Sequence, residues 1–154
     1  VDKIACNGGR MMALRLPPDS DGHQEQILVY PESGIGGRPR AIRREDIHIR
    51  ASTVAPSTHN TTWHCGSKGQ LTSREWEAVN ALRRSWCTSP PTFPTIAAQE
   101  PFYDLGLACG ADPTAISAIC KRIQIPMDQL PPELQMLVDT LPPAWSDKRC
   151  EEEY

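Results

Sequence analysis

Arg10-Met11-Met12-Ala13-Leu14-Arg15-Leu16, then Pro17-Pro18-Asp19-Ser20-Asp21-Gly22, then Gln24-Glu25-Gln26-Ile27-Leu28-Val29-Tyr30 is the stretch on which the fold turns. In the first run Met12, Leu14 and Leu16 alternate with Met11, Ala13 and Arg15, the period of two that a pleated strand imposes. The middle run is built of turn formers and the third favours strand again, so the whole predicts an antiparallel hairpin with a loop longer than two residues. Pro31 ends it, since its ring removes a backbone donor. Farther on, Ile47 and Ile49 alternate with His48 and Arg50, which predicts a third strand over Asp46–Ala51. The first half therefore reads as a small antiparallel sheet.

The second half changes period. Thr72 and Glu75, three apart, form a capping-box pair, with Leu71 and Trp76 placed for a hydrophobic staple. Trp76, Val79, Leu82, Arg83 and Trp86 then recur at helical spacing, and Ser89-Pro90-Pro91 ends the helix and opens a stiff loop. Asp112 and Pro113, followed by Ile116, Ile119, Cys120 and Ile123, predict a second helix running to Ile125. Leu134, Leu137, Val138 and Leu141 predict a third, shorter one over Pro132–Leu141. Strands followed by helices argue for an α+β fold: a small antiparallel sheet from the N-terminal half, two or three short helices from the C-terminal half. A β-barrel or sandwich with peripheral helices is the alternative, because the Pro- and Thr-rich segments Ala51–Thr62 and Thr88–Gln99 have room for short strands.

The chain has 154 residues, 39% of them hydrophobic and 23% charged, with 15 prolines. That length suits one domain over residues 1–154, able to bury about two-thirds of its unfolded surface. Apolar runs such as Ile27–Tyr30 fall far short of the roughly 20 residues that cross a bilayer. A net charge of −3 gives no whole-molecule attraction to nucleic acid or to an anionic membrane.

Cys6, Cys65, Cys87, Cys109, Cys120 and Cys150 are even in number, widely spread and never closer than a CxxC would require. Tight pairs are what zinc ribbons and redox motifs use, so disulfides and an extracellular setting are the expectation, reduced core cysteines being the rival. Cys6 with Cys150 is the expected outer pair, since it would close the longest loop. Asn60-Thr61-Thr62 is an N-glycosylation sequon, which makes Asn60 a modification candidate in the same setting.

Arg38, Arg40, Arg43, Arg44 and Arg50 concentrate positive charge in one short stretch, opposed there by Glu45 and Asp46. Guanidinium groups make planar bidentate contacts to carboxylate, phosphate or sulfate, so this strip is the expected contact surface for a protein partner, host proteins included, or an anionic surface ligand. A charged strip also blunts a sheet edge. The leading expectation is thus a secreted, cysteine-stabilised, non-enzymatic binding protein of the effector or toxin kind, with a place in virulence. It calls for no cofactor and no metal.

Two other functions compete. His48, His59 and His64 lie close in sequence and would suit acid–base cleavage of a phosphodiester in a ribonuclease-like hydrolase. His59, His64, Cys65 and Cys87 would instead suit a metal. Leu71–Trp86, Pro101–Cys109 and Asp112–Ile125, read as three helices, resemble a helix-turn-helix. Basic and acidic residues balance across 71–125, so nucleic acid is a poor partner there. The glycine-rich Gly34-Ile35-Gly36-Gly37 lacks the Lys-Ser/Thr that ends a phosphate-binding loop, and reads as a turn.

Overall fold

The structure is a computed structural model, and it describes residues 9–20, 22–31, 38–46, 63–65, 71–110, 112 and 119–141. Six strands form one antiparallel sheet: β1 (Met12–Arg15), β2 (Glu25–Tyr30), β3 (Arg40–Asp46), β4 (Trp63–Cys65), β5 (Phe102–Cys109) and β6 (Ile119–Pro126), in the order β4-β3-β2-β1-β5-β6. Five of them make its body, β4 being a three-residue strand at one edge. Helices α1 (Ser73–Thr88) and α2 (Pro132–Thr140) complete an α+β fold.

The expected hairpin is present, with Met12 opposite Val29 and Leu14 opposite Ile27. Its loop closes through Asp19: the Asp19 N–H donates to the His23 carbonyl and Gly22, at φ +83°, donates back to the Asp19 carbonyl. Only glycine adopts that left-handed geometry at little cost. Met12, Leu14, Ile27, Val29, Leu105, Leu107, Ile123 and Ile125 line one face of the sheet and pack in a single core with Val79, Leu134, Leu137 and Leu141. The other face buries a smaller cluster, Ala13 and Leu28, against which Tyr30 packs.

Three expectations are corrected here. Asp112–Ile125 is not a helix: Ile119–Pro126 is the edge strand β6, paired along its length with β5, while 113–118 lie outside the described residues. Its run Lys121-Arg122-Ile123-Gln124-Ile125 also has period two, and an eight-residue partner strand decides between the two readings. Pro101–Cys109, a helix in the helix-turn-helix reading, is strand β5, with Tyr103, Leu105, Leu107 and Cys109 turned to the core. That motif is therefore not formed. The third strand lies earlier than expected, over Arg40–Asp46, and 47–51 fall outside the described residues. Thr88–Gln99 holds no strand beyond the last residue of α1; Ala51–Thr62 is outside the described residues.

Helix α1 starts as the capping box predicts. The Glu75 N–H donates to Thr72 Oγ1 at 3.1 Å and the Thr72 N–H donates to Glu75 Oε1 at 2.9 Å, satisfying two otherwise orphaned donors. The far half of α1 is strapped to the sheet. Arg83 Nη1 donates to the Ala108 carbonyl at 2.9 Å, Lys121 Nζ donates to the Cys87 carbonyl at 2.6 Å, and Cys87 is disulfide-bonded to Cys109 with Cα atoms 5.7 Å apart. Burial, and after it the neighbouring Arg84 charge, lowers the pKa of Arg83 from its ordinary value. Cys120 is also disulfide-bonded. The expected Cys6–Cys150 bridge lies outside the described residues, as does Asn60; Cys65 falls on β4.

Replacing Cys87 and Cys109 together by serine opens a loop whose ends are 22 residues apart. The chain-entropy relation puts the loss at about 3 kcal/mol, read as a lower denaturant midpoint under non-reducing conditions.

Candidate functional site

Strand alternation divides the arginine strip. Arg40, Ile42 and Arg44 fall on the sheet face away from the helices, while Ala41, Arg43 and Glu45 fall on the helix face, opposite Val29, Ile27 and Glu25. Arg38 and Arg40 are exposed and Arg44 is half-buried. Arg50 lies outside the described residues. Arg40 stacks on Tyr30, its Cζ 4.9 Å from the ring centroid, an arrangement that holds the guanidinium in place. Between the two exposed arginines, the Pro39 carbonyl accepts from the Leu71 N–H at 2.8 Å, which fixes this backbone to the entrance of α1.

Arg43 does not belong to the contact surface. It is 7% exposed, and its Nε and Nη2 donate to Glu25 Oε1 at 3.1 and 2.7 Å. Its Nη1 donates to the carbonyls of Val138 and Leu141 at 2.8 and 2.6 Å. One side chain thus pairs with β2 and caps the end of α2, where a cation meets the negative pole of the helix.

Beside it, Glu25 and Glu45 face each other directly across β2 and β3, at 4% and 0% exposure. Two like charges in register repel, so each needs a counter-charge. Arg43 serves Glu25. His23, just past the hairpin turn, brings Nε2 to 3.9 Å from Glu45 Oε1 and Nδ1 to 3.1 Å from Asp19 Oδ2, while its backbone N–H donates to Asp19 Oδ1 at 2.9 Å. With both ring nitrogens turned to carboxylates, His23 is committed to holding this corner together.

On the far face Arg122 makes a bidentate pair with buried Asp104, Nε to Oδ1 at 2.8 Å and Nη2 to Oδ2 at 2.5 Å, joining β5 to β6. This pair also escaped the sequence reading, although once β5 is recognised the two residues lie on one face, a single register step apart.

Of the histidines singled out from sequence, His48 and His59 lie outside the described residues, and His64 falls on β4 in register with Glu45. Cys87 is a disulfide partner rather than a free thiolate, which removes it from the mixed histidine–cysteine metal reading. Among the described residues no group of His, Cys, Asp or Glu is arranged to hold a metal ion.

Exchanging Arg43 for Met should cost about 3–5 kcal/mol of stability, because it strands a buried carboxylate. Making the Glu25→Met change as well should recover part of that loss in thermal or chemical melts. The remainder stays because the Val138 and Leu141 carbonyls lose their donor, at about 1–3 kcal/mol each.

Tyr103 carries a second, pH-dependent signal. Burial, then the Asp139 charge, raises its pKa above 10.0, against the opposing pull of Arg43. A raised folded-state value gives stability that is complete below pH 10.0 and is lost as pH climbs through the folded value. Tyr103→Phe should therefore flatten the alkaline limb of the stability profile, measured by denaturant titration at increasing pH. No protein-family model matches this chain, and no curated protein and no solved structure matches it.

Proposed function

We propose that this chain acts outside the cell as a small cysteine-stabilised binding protein of the effector or toxin kind, without chemistry of its own. Its partner is a protein, a host protein where it serves virulence, or an anionic surface ligand. The observation that carries this reading is the pair Arg38 and Arg40. Both are exposed, and among the described residues no carboxylate pairs with either. Their backbone is anchored at Pro39 and the Arg40 guanidinium is braced on Tyr30, so little conformational freedom is lost when an anion is bound. Arg44 shares the face of Arg40 and extends the strip along β3. The Cys87–Cys109 bridge supports the extracellular setting, since oxidising compartments are where such bonds persist.

The histidine-based alternative, cleavage of RNA, has one support, the register of His64 with Glu45. It predicts ribonuclease activity lost on His64→Ala; the binding reading predicts that RNA stays intact in both chains.

An immobilised sulfated polysaccharide probes the arginine pair directly. Arg38→Ser with Arg40→Ser should elute at lower salt than the parent chain with an unchanged melting temperature, because screened surface contacts are removed and no core contact is touched. Equal elution would discard the surface. Intact mass before and after alkylation, with and without reduction, reads the cysteine state; six free thiols in folded protein would discard the compartment.

A further inference from the structure

Between α1 and β5 the chain runs Thr88-Ser89-Pro90-Pro91-Thr92-Phe93-Pro94-Thr95, and the residues from Pro90 to Ala97 have no regular hydrogen-bonded structure. The three prolines fix their own φ near −65°, and each forces the residue before it into an extended conformation. The segment is thus stiff and extended without sheet partners, close to the polyproline geometry of three residues per turn. That period puts Ser89, Thr92 and Thr95 along one edge, roughly 9 Å apart. All three are exposed, whereas Phe93 and Ile96 on the next edge are half-buried and Phe93 meets Trp86 edge-on at 6.1 Å. Thr88 spends its hydroxyl on the Arg84 carbonyl at 3.1 Å; among the described residues the hydroxyls of Ser89, Thr92 and Thr95 have no partner.

We infer that this edge is a site of O-linked glycosylation, with Thr92 and Thr95 as the principal acceptors and Ser89 beside them. Ser and Thr interleaved with Pro is the composition of O-glycosylated stalks. Here the structure adds an extended backbone, outward hydroxyls, and an anchor at each end that keeps the edge clear of the core. In the transfer, the threonine hydroxyl oxygen attacks the anomeric carbon of a nucleotide-activated or lipid-phosphate-activated sugar. The new glycosidic C–O bond forms as the anomeric bond to phosphate breaks, the phosphate leaves with that electron pair, and the hydroxyl proton passes to a base of the transferase. The inference rests on the extracellular reading above, because the secretory route is where the chain would meet such transferases.

The test is peptide mapping of the full chain isolated from its natural source, with fragmentation that preserves side-chain modifications. The peptide that begins at Ser85 should carry hexose or N-acetylhexosamine increments on Thr92 and Thr95. In a Ser89→Ala, Thr92→Ala, Thr95→Ala chain they should vanish with the melting temperature unchanged. Phosphate in place of sugar, as on Ser89 ahead of Pro90, overturns the inference. An unmodified peptide from protein whose disulfides are intact overturns it alone, whereas an unmodified peptide accompanied by free thiols overturns the extracellular reading beneath it.

Discussion

The Arg43 guanidinium, shut between the sheet and the end of α2, is the interaction on which the rest depends. Its carboxylate partner comes from β2 and its two carbonyl partners from the last turn of α2 and the residue after it. Apolar contact alone would let a nine-residue helix slide over a flat strand surface, since burial has no preferred direction. A planar group with fixed donors permits one register only. Leu134, Leu137 and Leu141 can then fill the space over the sheet without competing arrangements.

The same device recurs at α1. Neither helix has a basic residue in its own last turn. Each receives a cation from a strand instead: Arg43 from β3 for α2, Lys121 from β6 for α1. Helix termini and strands are thereby coupled electrostatically, and at α1 the Cys87–Cys109 bond makes the coupling covalent. The buried carboxylates of Glu25 and Glu45 fit this scheme, because a sheet that supplies cations to its helices must balance them locally.

The hairpin and both helices could be read from sequence because their signals are local: alternation, turn formers, a capping box, a leucine period. β6 could not, because its isoleucines satisfy a helical and a strand period together and the arbiter, β5, lies elsewhere in the chain. The arginine strip was legible as charge but not as orientation. With a strand expected over 46–51 rather than 40–46, nothing indicated that Arg43 points inward while Arg40 and Arg44 point out. Glu25 was within reach: two and four residues before Ile27 and Val29 on one strand face, it had to be buried with them. His23 had no comparable signal, since the turn geometry that aims it depends on Asp19 and Gly22.

Strand β1 sits in the middle of the sheet, with Met12 beside Val29 on one side and Leu107 on the other. The first neighbour emerges soon after it; the second is encoded most of a chain length later. During synthesis the hairpin must therefore wait with one row of backbone donors and acceptors, and the apolar side chains of Met12 and Leu14, unmatched. Such nonlocal pairing slows folding and lengthens exposure to wrong strand partners. The nascent chain is consequently most vulnerable to aggregation before β5 arrives, a reason for dependence on folding helpers that has nothing to do with the stability of the finished molecule.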